Sequence, residues 1–246
     1  MRKFVSISGG ADSTALALLL WERGEDFELI FADTGAEFPE NYYIITRLQA
    51  TIQKPLHVVS GGGFYHWLVK KDYMLPGPRK RWCTRILKQE PIDHFLASFD
   101  EEIEVCQGIR ADEPRRVRSR EVSRPGCKNL YNSYPLVEAG MCKKDVFELC
   151  KKYDLLNPVY KWRSNVSCFC CFFQRKSDWL GLLKHHPELY ALAEQWEKQS
   201  YIMGKKKGLS RVFGWNQSYT LENLRRMAEK TPNLFGDGEE IQKALL

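Results

Sequence analysis

No apolar run in these 246 residues approaches the length needed to cross a bilayer, so membrane-spanning helices are excluded. The opening residues Met1-Arg2-Lys3-Phe4-Val5-Ser6-Ile7-Ser8 are basic and then read as a strand. They lack the apolar core and small-residue cleavage site of a secretory signal, and the expected location is the cytoplasm. Without such a signal, the eight cysteines do not read as a disulfide framework. Metal ligation, redox work and plain burial remain for them. None of them follows Cys171. There is no internal repeat and no long low-complexity tract, which excludes solenoids and extended disorder.

What is present is ordinary for a globular chain: 43% hydrophobic and 28% charged residues, enough for one large domain or a domain with a small appendage. The formal net charge of +6 is compatible with an anionic ligand but does not establish nucleic-acid binding. Cations cluster at Arg79-Lys80-Arg81, over residues 110–124 and at Lys205-Lys206-Lys207. A solvated surface explains the lysine run equally well.

Apolar patterning alternates strand and helix through the first half. Strands are expected at 3–8, 27–32, 56–60 and 103–107, and helices at 12–23, 39–53, 64–71 and 84–98. This order predicts an α/β fold with a doubly wound, mainly parallel sheet, helices on both faces and a helical C-terminal portion. Such sheets bind ligands beyond the carboxyl ends of their strands, so the turns after Ser8, Ala32 and Gln107 should share one edge. Residues 112–128 are polar, arginine-rich and broken by proline and glycine, and read as a mobile loop. Residues 134–136 read as a last short strand. Helices follow at 143–153, 174–184, 187–202 and 220–229, the last capped by Thr220. The expected division is a nucleotide-binding α/β domain over 1–165 and a cysteine-bearing turn with helices over 166–246.

Ser8-Gly9-Gly10-Ala11-Asp12-Ser13-Thr14 joins the first strand to the first helix. Glycines let successive N–H groups curl toward one anion, and the helix aims its positive end at the same point. Ser8, Ser13 and Thr14 add hydroxyls. Asp12 repels phosphate unless it orders the loop or meets a metal ion. The string does not match the Gly-x-x-x-x-Gly-Lys-Ser/Thr loop of ordinary nucleotide triphosphatases. It resembles instead the PP-loop of the ATP pyrophosphatase and phosphoadenosine phosphosulfate (PAPS) reductase superfamily. The resemblance extends to Phe31-Ala32-Asp33-Thr34-Gly35-x-Glu37-Phe38-Pro39, to Arg81-Trp82-Cys83-Thr84-Arg85-x-x-Lys88, to Gly108-Ile109-Arg110-Ala111-Asp112-Glu113 with Arg115 and Arg116, and to Cys168-x-x-Cys171.

That resemblance implies an adenine nucleotide, ATP or a relative, with phosphates on Ser8, Gly9, Gly10, Asp12, Ser13 and Thr14. Asp33, Thr34 and Gly35 would take the adenosine side, and Arg110 and Arg116 the anionic groups. Asp12, Lys88 and Arg110 are the candidate catalytic residues, with Mg²⁺ as a candidate ion. In reductases of the family that carry a 4Fe–4S cluster, an early cysteine pair joins the late pair. Here Trp82 stands in the place of the first early cysteine. The expected ligands are Cys83, Cys168 and Cys171, with Cys127 chosen as the fourth, Cys170 as its main rival and Cys142 undecided. Zinc is the alternative to iron–sulfur. Cys106 and Cys150 read as core thiols.

Two chemistries compete on this fold. In one, ATP is cleaved between its α and β phosphates, a substrate is adenylated, and a sulfur donor displaces AMP. In the other, a thiolate attacks the sulfur of a sulfonucleotide. Family reductases place that thiolate in a C-terminal Glu-Cys-Gly-like motif, which this sequence lacks, and the expectation is therefore ATP-dependent activation for sulfur transfer. A sulfonucleotide reductase coupled to a thiol reductant and a non-catalytic nucleotide-binding or redox-sensing module are the alternatives. The acceptor is left open between a small metabolite, tRNA and DNA, with the arginines of residues 115–124 mildly favouring a polyanion. No membrane partner is expected, and the oligomeric state is left open.

Overall fold

A computed structural model describes residues 1–118, 121–124, 126–209 and 214–230, with the side chains of 121–124, 127 and 128 outside the description. The residues fall into two compact units that interleave along the chain. The first comprises Met1–Asp33, Phe38–Gly61 and Ile86–Pro158; the second comprises Thr34–Glu37, Gly62–Arg85 and the chain from Val159 onward.

The first unit is built on six strands: β1 (Arg2–Ile7), β2 (Glu28–Asp33), β3 (Leu56–Ser60), β4 (Ile103–Cys106), β5 (Glu121–Arg124) and β6 (Cys127–Ser133). Their order in the sheet is β3-β2-β1-β4-β6-β5. All neighbours run parallel except β5 and β6, which pair antiparallel as a hairpin at the edge. The chain therefore winds one way from β1 through β2 to β3, then restarts on the other side of β1 with β4. The switch point lies between β1 and β4.

Successive strand residues face opposite sides of the sheet. Phe4 packs with Ile30, Ile103, Val105, Leu130 and Leu96 on one face. Leu96 ends the helix Glu90–Leu96. Val5, equally buried, faces the other side, where the helix α1 (Ala11–Glu22) packs on β1 and on the helix Lys143–Lys152. Helices thus cover both faces, as the alternating pattern predicts.

In chain order the remaining helices are α2 (Pro39–Ile52), α3 (Phe64–Lys70), α4 (Trp82–Thr84), α5 (Glu90–Leu96), α6 (Pro135–Glu138), α7 (Lys143–Lys152), α8 (Lys176–His185), α9 (Pro187–Lys206) and α10 (Leu221–Lys230). A π-helical turn, Arg85–Gln89, precedes α5. Pro91, in the first turn of α5, has no N–H to give, so regular i→i−4 pairing lapses there.

Two expectations are corrected. Residues 112–128 are not one loop: they contain the 3₁₀ turn Pro114–Arg116, β5 and the start of β6. Residues 134–136 are not a strand either. The strand ends at Ser133, and Pro135 opens α6, its fixed φ suiting the first helical position.

In the second unit α8, α9 and α10 pack on one another around aromatic rings. Phe64 stacks on Trp196 at 5.3 Å, Phe169 lies 5.6 Å from Trp196, and Trp179 lies 6.0 Å from Trp215. Six of the chain's seven tryptophans belong to this unit. Thr220 Oγ1 accepts from the N–H of Asn223 at 3.2 Å, the expected cap of α10. Buried Glu197 accepts from the N–H groups of Trp215 (2.9 Å) and Leu221 (2.7 Å), fixing the entry to that helix. No described helix is long and apolar enough to cross a membrane.

Candidate functional site

In the first unit, the turn after β1 and the turn after β4 flank the switch point. They leave parallel strands at their carboxyl ends and therefore share one edge. Gly9 has φ +74°, and a Cβ there would stand 2.9 Å from the backbone Cα and O of Asn41. No other residue type fits without moving α2. Gly108 plays the complementary part after β4, since a Cβ would come within 3.1 Å of the Asp12–Ser13 backbone.

Ser13 ties the loop to itself. Its hydroxyl accepts from the Ser8 N–H at 3.2 Å, donates to the Gly10 carbonyl at 3.1 Å and lies 3.3 Å from the Ser8 hydroxyl. The Thr14 N–H donates to the Gly10 carbonyl at 3.1 Å, starting α1. Thr14 itself is only 1% exposed, so it belongs to the core under the loop rather than to its open surface.

Two buried asparagines that carry no sequence signal complete the cradle. Asn157 Nδ2 donates to the Gly9 carbonyl at 2.9 Å and to Asn41 Oδ1 at 3.0 Å. Beneath α1, the Cys150 thiol donates to the Ala11 carbonyl at 3.4 Å. Burial raises the pKa values of Cys106 and Cys150 to about 12, which fits the expected core thiols.

Charge at the switch point gathers on Arg110. Its NH1 donates to both oxygens of Asp12, at 3.0 and 2.9 Å. Its Nε donates to Asp112 at 2.9 Å, and its NH2 lies 3.4 Å from Glu113. Burial alone would lower the pKa of Arg110, but these carboxylates raise it on balance. Asp12 responds the other way: burial raises its pKa, and the hydrogen bonds from Arg110 only partly offset that. Lys143, at the start of α7, stands in the same field. Burial lowers its pKa and the charge of Arg110 lowers it further. It is a cation that sequence reasoning missed.

The other expected residues of this unit lie as follows. Arg116 is exposed and pairs with Glu113 at 2.7 Å. Lys88 lies on the π-helical turn and is half-buried. Asp33, at the end of β2, accepts from the Tyr42 hydroxyl at 2.7 Å. Cys127 opens β6 rather than a free turn; its side chain lies outside the described residues. Cys142 is exposed at the N-cap of α7.

The second unit holds the other half of the expected chemistry. Thr34 and Gly35 belong to it, within the segment Thr34–Glu37. That segment clasps the cysteine turn. Phe169 N–H donates to the Ala36 carbonyl at 3.0 Å, and the Cys171 N–H closes the turn onto the Cys168 carbonyl at 3.1 Å. Cys168 Sγ lies 3.5 Å from both Thr34 Oγ1 and Glu37 Oε1, while Thr34 Oγ1 donates to Glu37 at 2.9 Å.

Cys170 is fully enclosed. Burial pushes its thiol pKa well up, and the nearby Cys168, Cys171, Cys83 and Glu37 push it further. Four thiols therefore share one neighbourhood. Buried Arg163 lies beside them: NH2 donates to Ser167 Oγ at 2.8 Å and NH1 to the Cys168 carbonyl at 3.5 Å. Burial lowers the Arg163 pKa, opposed by Asp178 and the three cysteines of the turn. Among the described residues no three His, Cys, Asp or Glu side chains are grouped to hold a metal ion. The donor set thus suits a thiophilic group by its chemistry, without a preformed single-ion geometry.

Comparison with known proteins adds a family. A model described as phosphoadenosine phosphosulfate reductase domain matches residues 2–162. Two uncharacterized proteins of Methanocaldococcus jannaschii are similar to the chain. One is 24% identical over 243 residues, spanning 98% of this chain and 54% of the relative. The other is 26% identical over 215 residues, spanning 86% and 43%. The chain thus spans about half the length of these curated relatives. A crystal structure of phosphoadenylyl-sulfate reductase from Candida auris, in complex with phosphate, shares the fold with a TM-score of 0.54 at 17% identity, covering 68% of this chain and 81% of that one.

Proposed function

The chain belongs to the phosphoadenosine phosphosulfate reductase domain family, and from that premise we propose that it is an enzyme that activates an acceptor with ATP for sulfur transfer. The observation that carries this reading is the pairing of the Ser8–Ser13 loop with Arg110 across the β1/β4 switch point. The Ser8–Ser13 loop, at the positive end of α1, takes the phosphates that leave. Asp12, Arg110 and Lys143 provide charge that can be redistributed when they arrive, with Asp33 on the adenosine side and Lys88 and Arg116 as further cations. A nucleophilic oxygen of the acceptor attacks the α phosphorus, the bond from that phosphorus to the bridging oxygen breaks, and pyrophosphate departs with the electron pair. A sulfur nucleophile then attacks the activated carbon and AMP leaves. No electrons are gained or lost in either step. The site's contribution is fixed donors for developing negative charge. Asp12 is the residue that would hold a Mg²⁺ ion, which would supply further positive charge to the phosphates, and Arg110 already engages both of its carboxylate oxygens.

The thiols of Cys83, Cys168, Cys170 and Cys171 are the ligand set that we assign to a 4Fe–4S cluster; Cys170 is taken as the fourth because it lies beside the other cysteines of the turn, while the side chain of the expected Cys127 lies outside the described residues. Bound there, a cluster supplies local charge, a staple for the second unit and a place for an exchangeable sulfide. Arg163 offsets the negative charge of its thiolates.

The test is product analysis on anaerobically purified protein. Incubation with ATP and candidate acceptors should release pyrophosphate. Sulfite from a sulfonucleotide, without pyrophosphate from ATP, points instead to a reductase, the reading that the family description favours. Neither product, with nucleotide still bound, leaves a binding module. Iron and sulfide should drop in each alanine variant of the four thiols, whereas zinc in their place defeats the cluster assignment.

A further inference from the structure

The second unit carries a surface that neither site uses. Residues Gly62–Arg85 hold six cations (Lys70, Lys71, Arg79, Lys80, Arg81 and Arg85) against one carboxylate, Asp72, in a chain whose whole net charge is +6. The rest of the chain is therefore close to neutral. A solvated face does not require such segregation.

The same stretch brings aromatic rings to the surface. Phe64 and Leu68 are buried and fix the inner side of α3, while Tyr65 stacks one face on buried Trp196 at 5.9 Å and stays 53% exposed, with Trp67 and Tyr73 half-buried. Lys70 Nζ lies 4.7 Å and Lys71 Nζ 5.4 Å from the Trp67 ring centre. The rings of Tyr65 and Tyr73 meet edge to face at 6.5 Å. Lys207 pairs with Asp72, which neutralises the one carboxylate and brings the end of the lysine run 205–207 beside Tyr73.

The turn that displays Tyr73 is strained. Asp72 and Tyr73 both adopt left-handed backbone angles, φ +51° and +59°. A helix usually ends in this conformation on glycine or asparagine, and a bulky residue there is strained. A glycine at position 73 would relax the chain.

We propose that this face, centred on Tyr65, Trp67, Lys70, Lys71, Tyr73 and Lys207, binds a single-stranded stretch of nucleic acid. Aromatic faces take unstacked bases and interleaved lysines take the phosphates between them. A duplex presents no open base faces to such rings. A membrane surface is a poorer match, because α3 is a seven-residue helix and its exposed rings do not form a continuous apolar face. The surface uses no residue of the nucleotide loop, so it stands whether or not ATP is cleaved.

The experiment is fluorescence anisotropy on the full chain, without ATP, using labelled oligo(dT) and oligo(U) of about 20 nucleotides. Binding should weaken steeply with salt. Lys70→Glu with Lys71→Glu should raise Kd at least about tenfold and flatten the slope of log K against log salt by about 1.4, the share of two phosphate contacts on a single strand. Tyr65→Ala should weaken binding at least about fivefold and leave the salt slope unchanged, as expected for a lost base stack. Lys144→Glu with Lys151→Glu on α7 makes the same charge change elsewhere and should leave Kd nearly unaltered. Melting curves confirm that each variant is folded, and the lysine pair decides the matter if Tyr65→Ala is not. Equal losses in the two double variants, no oligonucleotide binding at low salt, or binding of anionic vesicles but not of oligonucleotides would each overturn the proposal.

Discussion

The phosphate loop and the cysteine turn are both short connections bearing expected chemistry, yet they are held in opposite ways. The loop is tied down within the fold: a left-handed glycine, a self-bonded serine and the buried Asn157 hold the Ser8 N–H and the carbonyls of Gly9 and Gly10. Its shape owes nothing to a ligand. The cysteine turn is anchored by a backbone bond from Phe169 to Ala36, and among the described residues its thiols are not grouped to hold a metal ion. The loop is held by bonds within its own unit, whereas the turn is the one of the two that a bound group would order further. Their surroundings differ in the same sense, aliphatic strands and α1 around the loop against stacked aromatic rings around the turn.

The sharpest way to break this contrast is Gly9→Ala. The added methyl meets the Asn41 backbone, and the left-handed φ is strained for alanine in any case. A loss of about 3 kcal/mol or more is expected, together with loss of nucleotide binding. Chemical denaturation and equilibrium dialysis with ATP check both, and wild-type behaviour in either would show that the loop is adaptable. Asn157→Ala should cost about 2 kcal/mol, because it leaves the Gly9 carbonyl and Asn41 Oδ1 buried without their donor. Its nucleotide affinity should fall with its stability.

The cysteines sharpen the other side. Cys168→Ala should change the stability of metal-free protein by no more than about 1 kcal/mol, since the thiol is only partly buried. It should nonetheless remove bound iron. Cys106→Ala should show the reverse pattern, with iron retained and about 1–2 kcal/mol lost from the core. Metal analysis beside urea titration separates the two, and equal iron in both variants would erase the distinction between cluster and core thiols.

How much of this could be read from residues follows from which signals are local. β1, the glycine turn and α1 are written in apolar periodicity and in a glycine pair, and the structure follows them closely. The helix cap at Thr220 is likewise local. The β5–β6 hairpin was hidden because Glu121-Val122-Ser123-Arg124 has one apolar residue and, as an edge strand, needs only β6 to pair with. Pro135 is itself a helix-start signal, set between apolar neighbours that read equally as a strand. Asn41 and Asn157 are 116 residues apart and carry no periodicity, so only the folded chain joins them. Lys143 enters the electrostatic field of Arg110 by folding alone in the same way. The interleaving of the two units is a property of contacts, invisible in composition.

The smallest expected effect compares two arginine-paired carboxylates, one in each unit. Asp12 meets Arg110, and Glu194 meets Arg225 at 3.0 Å with Lys198 at 2.8 Å. Burial raises the pKa of Asp12 above its ordinary value, and Arg110 does not fully offset it. At Glu194 burial pulls the same way, but Arg225 and Lys198 overcome it and the pKa is lowered. The linkage signs are therefore opposite. A raised carboxylate pKa means that folding favours the protonated form, so the contribution of Asp12 is present at low pH and is lost as pH rises through its folded value. A lowered one means that the contribution of Glu194 is present above its unfolded value and is lost as pH falls through the folded one. Asp12→Asn should gain on the wild type as pH rises from about 3 to 6, and Glu194→Gln should fall behind it over the same range, each by less than about 1.4 kcal/mol, the equivalent of one pKa unit. Urea titrations across that range measure both slopes. Parallel slopes would mean that Asp12 is an ordinary structural ion pair, whereas opposed slopes mark it as a carboxylate held against its preference, the condition expected of a group that changes partners when a ligand binds.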